Sequence, residues 1–498
     1  MFVAIVVIVY MVLLFGMCAM AQRKQDKITA AGGKGSSLMA GKNLSLILCA
    51  VLCAGGSIGS ATTNGLAQLV QTAGVSAFWY SAANIIGLLF LGLVGAKRMR
   101  RLGYSTNNEM IADYCGAPSR YLMVIGQMII MLGVGCLQYV SGGAMLASMF
   151  PGVISYHTGI LITAVIFTVI CLFGGLYGTS LANLINVIFI YVGMVVCCIV
   201  AVSKAGGMGE ICSQMNSLTE STTYGGPWLS ATGGLGLLTC LAYIVSEPGN
   251  RITTQSNTTC AAAAKNEKTA VWGIVLGALF LIPITAVSVI MGLVAKVNFP
   301  DINSAQALST VILSLHPALA ALGMVGLWAV TVSTGIVLLM ASVQVFCYDI
   351  MAPINIKRQQ TKGDERKFLN AQTKIVTLAL SAVMLFCAYK ATGMVATIIT
   401  VLCITPAFFW IMLSFLYFPK LIKKHSVLIT QIVAYIFFLI WLFVPSVKAA
   451  IPTPIYVEWP LCTVVWFLCA LEKAPIDEVV PKNQRVKLSS GVMSDSEE

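Results

Sequence analysis

The chain has 498 residues, of which 58% are hydrophobic and 10% charged, and its formal net charge is +12. A soluble domain carries about 25% charged residues. The composition therefore excludes the several soluble domains that the length alone would allow. Many apolar runs of about 18 or more residues point to a polytopic membrane protein instead.

The first run, Phe2 to Ala21, has no positive residue before it, and Arg23, Lys24 and Lys27 follow it. A cleavable signal peptide has the opposite order. The reading is a retained first helix with its N-terminus outside. Thirteen spans are predicted, at 1–21, 43–66, 77–96, 121–149, 156–174, 180–203, 229–247, 269–295, 317–346, 372–392, 393–418, 426–446 and 455–471. With the N-terminus outside, the inside segments hold 26 of the 30 Lys and Arg and the outside segments hold 4. That is a strong positive-inside bias. It accounts for the net charge without a nucleic-acid partner. It places the C-terminus in the cytoplasm and the protein in the cell membrane. The tail from residue 472 to 498 is polar, ends in Glu497-Glu498 and reads as disordered. The 16 cysteines show no CxxC pair, zinc spacing or disulfide framework and read as small apolar packers.

Ionisable groups at membrane depth mark function by default. All 18 acids fall in loops, tails or span ends, with Glu247, Asp349 and Glu458 nearest a boundary. His157, His316 and His425 are also at ends or in loops. This pattern argues against a proton relay, a haem and a membrane enzyme, and no organic cofactor is expected. The spans offer hydroxyls, amides and backbone, which suit a hard cation such as sodium. The run Met324 to Ser342 is apolar but carries two adjacent hydroxyls, Ser333 and Thr334. Such a pair either back-bonds to its own helix or offers oxygen to a cation.

Backbone carbonyls freed by a broken helix would supplement those hydroxyls. Span 2 reads Gly55-Gly56-Ser57-Ile58-Gly59, and each glycine weakens a helix by roughly 1 kcal/mol relative to alanine. Span 7 holds Gly233-Gly234-Leu235-Gly236, with Thr239 one turn on. Spans 2 and 7 are five apart and enter the membrane from opposite sides. The expected fold is thus all-α, with about 13 transmembrane helices built on a five-plus-five inverted repeat.

Here the chain resembles the sodium:solute symporters, whose fold is that of the leucine transporter. The residues that carry the resemblance are Gly65-Leu66, Thr72-Ala73-Gly74 and Trp79, then the basic loop from Lys97 to Thr106 with Ala112-Asp113-Tyr114-Cys115-Gly116. They continue with Gly174-Gly175-Leu176-Tyr177-Gly178, Ser333-Thr334, Tyr348-Asp349-Ile350 and Pro406. The resemblance implies repeats at 43–203 (spans 2–6) and 204–418 (spans 7–11). An extra N-terminal helix and basic loop occupy 1–42, and two C-terminal helices occupy 419–471. It implies a sodium site formed by the carbonyls of Gly55, Ile58 and Val330 and the hydroxyls of Ser333 and Thr334. It places Asn183 on the ion exit path, where many members have an aspartate. An acid of some members is Ser57 here, and a Gln before proline is Glu247 before Pro248.

The expected function is sodium-coupled symport of a small neutral or zwitterionic organic solute, or a carboxylate, by alternating access in the lipid bilayer. The alternative is an uncoupled facilitator or solute sensor on the same fold. Candidate solute contacts are Ser57, Gln68, Gln138, Tyr139 and Thr239.

Overall fold

The computed structural model describes residues 2–30, 37–357, 365–390, 404–423, 425–451 and 453–472. The predicted span 393–418 and the loop 347–374 fall partly outside the described residues, as does nearly all of the tail. Among the described residues the chain is helical, and its β content is one isolated bridge between Leu44 and Ala264.

Helix α1 covers Phe2–Ala30. Ser45 then opens α2 (Leu46–Ser57), its Oγ accepting from the Leu48 N–H. The chain leaves helical geometry at Ile58 (φ −82°, ψ 77°) and resumes through a wide turn at Ala61–Gly65 into α3 (Leu66–Ala73). Helix α4 (Phe78–Phe90) runs on through Leu91–Ala96 into α5 (Lys97–Leu102). Next come α6 (Asn107–Met149), interrupted at Gly116, and α7 (Tyr156–Lys204), interrupted at Gly175. After the short α8 (Met208–Ser217) lies a second broken helix, α9 (Leu237–Thr253) and α10 (Gln255–Ala263), separated by an extended Thr254. Then follow α11 (Glu267–Asn298), α12 (Ala307–Leu313), α13 (Pro317–Val345), α14 (Ala352–Lys357) and α15 (Glu365–Lys390). The described chain closes with α16 (Phe409–Tyr417), α17 (Ser426–Phe443), α18 (Pro445–Ala450) and α19 (Ile455–Cys469). Eight helices among the described residues are long and apolar enough to cross a membrane.

Helix α13 is the axis of the molecule. It is apolar on all sides, as a fully enclosed helix must be, and every residue from Gly323 to Val345 is buried. It packs against α7, α6, α1 and α2. The crossing with α7 is close because both helices carry glycine there. A Cβ on Gly193 would stand 2.7 Å from the Leu322 carbonyl oxygen, and one on Gly326 would stand 2.8 Å from that of Phe189. Small residues at such crossings let backbones approach where lipid supplies no hydrophobic drive.

Two broken helices five spans apart are present, as the inverted-repeat pattern predicts. The second break lies elsewhere than predicted. Gly233, Gly234 and Gly236 are in turns before α9, and the interruption is at Thr254. The glycines serve packing instead: a Cβ on Gly234 would lie 1.9 Å from the Ala73 carbonyl oxygen. The two short halves, α2 and α10, are pinned side by side. The Leu44 N–H donates to the Ala263 carbonyl and the Lys265 N–H to the Leu44 carbonyl, both at 3.0 Å.

Candidate functional site

The first break brings α2 against the middle of α13. The Thr334 hydroxyl donates to the carbonyls of Gly55 (2.8 Å) and Ile58 (3.1 Å). The Ser333 hydroxyl reaches the carbonyls of Val330 (2.8 Å) and Ile58 (3.4 Å). All five oxygens named from the resemblance therefore meet at one crossing, and Ser333 and Thr334 are 0% and 4% exposed. Oxygens about 2.4 Å from one hard cation in an octahedral set stand roughly 3.4 Å apart. The separations here, 2.8–3.4 Å, are those of hydrogen bonds and lie at or a little below that spacing. The cradle is tight on the α2 side, where a Cβ on Gly59 would lie 3.0 Å from Thr334 Oγ1.

The chemistry of the donors matters as much as their positions. A hydroxyl is both donor and acceptor, and its hydrogen rotates. Without a cation, Ser333 and Thr334 satisfy the carbonyls that the break sets free. With one, the same oxygens turn their lone pairs inward. Hard neutral oxygens of this kind fit sodium.

The second break is covered differently. Asn107 Nδ2 donates to the carbonyls of Ile252 (3.2 Å) and Thr253 (3.0 Å), and Gln127 Nε2 donates to Thr253 O at 2.7 Å. Gln127 is held in that sense because its Oε1 accepts from Asn108 Nδ2 at 3.2 Å. Asn108 and Thr106 also donate to Asp349, at 2.9 and 2.7 Å. The loop before α6 thus ties the end of the α13 segment to the second break.

Between the two breaks lies a cavity of about 70 Å³. By the same measure one water needs about 10–15 Å³, so the space admits more than a few solvent molecules. Its wall includes Ser57, Gln138, Asn84, Glu247, Arg251 and Asn257. Arg251 Nε donates to Glu247 Oε2 at 2.9 Å, and Arg251 Nη1 donates to Asn257 Oδ1 at 3.1 Å, bridging α9 to α10. Both charged side chains are nearly enclosed, at 11% and 12% exposure.

Residues 38–432 match the model of the sodium:solute symporter family. The chain belongs to that family. It is 26% identical over 182 residues to an uncharacterized symporter, YwcA, of Bacillus subtilis (strain 168), a stretch covering 36% of this chain and 35% of that one. The match thus spans about a third of that relative's length. The fold is similar to that of a Na+-coupled sialic acid symporter in a substrate-bound outward-open state. That likeness has a TM-score of 0.75 at 14% identity and covers 94% of this chain and 96% of that one. A second likeness is to MHP1, a nucleobase-cation-symport-1 family transporter in a closed conformation with bromovinylhydantoin bound. Its TM-score is 0.57 at 14% identity, over 86% of this chain and 91% of that one. At such identities the likeness is one of fold. The family and the apolar helices make the chain a multi-pass membrane protein.

In this symporter-family chain the predicted solute contacts fall into two groups. Ser57 and Gln138 line the cavity, and Gln138 Oε1 also accepts from the Ser60 N–H at 3.2 Å. Gln68, Tyr139 and Thr239 are not in its wall. Gln68 pairs with Ser304 at 3.4 Å, Tyr139 with Ser381 at 2.9 Å and Thr239 with Tyr456 at 3.3 Å. Asn183 is fully buried beside the cage, where a Cβ on Gly55 would lie 2.5 Å from its Nδ2. The acids expected at span ends are enclosed by protein in the structure. The predicted span ends at Glu247 and leaves Arg251 in a loop, but α9 continues through Pro248 to Thr253. Asp349 and Glu458 are fully buried as well. The i,i+4 spacing of Glu247 and Arg251 was the available signal.

Proposed function

We propose that this chain is a sodium-coupled symporter that moves a small neutral or zwitterionic organic solute, or a carboxylate, across the cell membrane by alternating access. The observation that carries the reading is the meeting of five uncharged oxygens where interrupted α2 crosses uninterrupted α13. A cation held there ties α13 to α2. The solute occupies the cavity between the two breaks, one wall of which is the same α2 segment. Filling the cage orders that wall, so cation and solute bind better together than apart. The N-terminus lies outside and the C-terminus in the cytoplasm, which the 26 to 4 split of basic residues supports even though Arg251 is one of the 26. Asn183, packed on Gly55, stands on the route by which the ion leaves the cage.

The test is uptake into proteoliposomes holding the purified chain, under an inward sodium gradient or an equal potassium gradient. Sodium-stimulated accumulation is expected, and it should vanish in the double variant Ser333→Ala, Thr334→Ala while the protein still inserts. Equal uptake in both cations would assign the chain to uncoupled facilitation. Unchanged stimulation in the double variant would remove these hydroxyls from the site.

A further inference from the structure

The wall of the cavity carries more polar capacity than its own bonds use. Arg251 bonds through Nε and Nη1, and its Nη2 makes no hydrogen bond among the described residues. Glu247 uses Oε2, and its Oε1 is likewise without a partner there. Asn84 Oδ1 and Ser57 Oγ are buried and have no hydrogen-bond partner, and both residues line the cavity. Asn84 is 6% exposed. These groups are brought together by a glycine. Gly87 is three residues after Asn84 on α4, and a Cβ there would lie 2.9 Å from both Arg251 Cγ and the Glu247 carbonyl oxygen. The Asn84 face of α4 therefore lies directly on the ion pair.

We propose that the cavity takes a small zwitterion whose cationic end bears N–H groups, that is, a small amino acid or close analogue. Its carboxylate is received by Arg251 Nη2 and the Ser57 hydroxyl, and its ammonium group by Glu247 Oε1 and Asn84 Oδ1. This rests on the symport reading and narrows its solute. The two wall charges are opposite and adjacent. A simple anion meets Glu247 as well as Arg251, and a simple cation meets the reverse, so each is opposed by one charge while it is held by the other. A zwitterion satisfies both. Asn84 adds a second filter. Its carbonyl oxygen needs a hydrogen donor, and a quaternary ammonium has none, so a betaine leaves it unpaired in the bound state. That omission weakens binding by about tenfold or more.

The experiment is a thermal-shift titration of the purified full chain in sodium and in potassium. The probes are glycine, L-alanine, L-serine and L-proline; the controls are propionate, ethylamine, glycine betaine and myo-inositol. At least one amino acid should raise the melting temperature in sodium. The controls should act at tenfold or higher concentrations. Glu247→Gln and Asn84→Ala should each weaken the amino-acid response about tenfold or more, while sodium alone still stabilises both variants and so reports an intact fold. A response to betaine or propionate equal to that of the amino acids overturns the assignment. A response to myo-inositol alone, or to no amino acid, does the same. These outcomes leave the cation cage standing if sodium alone still stabilises the protein. Loss of that sodium effect in the unmodified chain overturns the symport reading instead, and an amino-acid response indifferent to sodium upholds the solute class while removing the coupling.

Discussion

Replacing Thr334 by valine removes one oxygen and keeps the side-chain shape. In potassium the variant loses two bonds, to the buried carbonyls of Gly55 at 2.8 Å and Ile58 at 3.1 Å. Ile58 keeps a 3.4 Å approach from Ser333, so the unmet acceptor is chiefly Gly55. Leaving one such group buried costs roughly 1–3 kcal/mol. In sodium the variant also loses one of five ligand oxygens. A polar contact to a charged partner contributes about 1.5–3 kcal/mol, roughly 10- to 150-fold in affinity, but the loss in the sodium-free state offsets part of it, so the half-saturating sodium concentration should rise by less than that. Ser333→Ala supplies the contrast. Its hydroxyl is bonded to Val330 of its own helix at 2.8 Å and only weakly across the crossing, so stability in potassium should hardly change. Its sodium requirement should rise by roughly the full 10- to 150-fold, more than that of Thr334→Val, because its sodium-free state loses little. The assays are melting temperature in each cation and the sodium dependence of uptake in proteoliposomes. If Ser333→Ala were neutral in both cations, the pair would be interhelical bonds alone, and the argument for a cage would fail.

Gly59→Ala places a methyl 3.0 Å from Thr334 Oγ1, crowding that oxygen while removing none of the five. It should raise the sodium requirement severalfold, and an unchanged sodium titration would show that the cradle has slack there. Asp349→Ala strips the acceptor from Thr106 and Asn108, both buried. A loss of about 1–3 kcal/mol for each unmet donor is the expected upper range. The specific outcome is faster amide hydrogen exchange at residues 105–108 and 252–255, and protection equal to that of the parent chain would break the proposed link between α13 and the second break.

The first break was legible because its cause is local. Gly55, Gly56 and Gly59 weaken the helix within five residues, and Ser333-Thr334 is conspicuous in an apolar run. The second was not legible, because nothing local marks Thr254. That interruption is held by amides of Asn107 and Gln127, about 150 and 130 residues away, and helix propensity carries no trace of them. Gly233-Gly234-Leu235-Gly236 has the same composition as the first break but a different use, the close seating of a turn on the end of α3. The predicted span that ends at Glu247 stops short for a related reason. Proline marks a probable helix end, yet Pro248 is inside α9, six residues before the interruption at Thr254. Of the solute candidates, Ser57 and Gln138 reach the cavity because they lie at the depth of the first break. Tyr139 is next to Gln138 in sequence, so its side chain turns to another face of α6 and meets Ser381.

The two breaks differ in the chemistry of the side chains that cover them. Each frees backbone carbonyls in the buried interior, and at each those carbonyls are met by side chains. At the first, the satisfying groups are hydroxyls, whose oxygen remains available once the hydrogen rotates away. At the second, they are amide nitrogens, which have hydrogens to give and no lone pair to offer a metal. Reversing Gln127 would also turn its oxygen toward the Thr253 carbonyl and its nitrogen toward Asn108 Nδ2, opposing like dipoles on both sides. The carbonyls of the second break are therefore covered by amide N–H groups, and the Glu247–Arg251 pair lies on α9 just before it. The two helix breaks are thus unlike in their cover, with rotatable hydroxyls at the first and amide N–H groups beside a charged pair at the second.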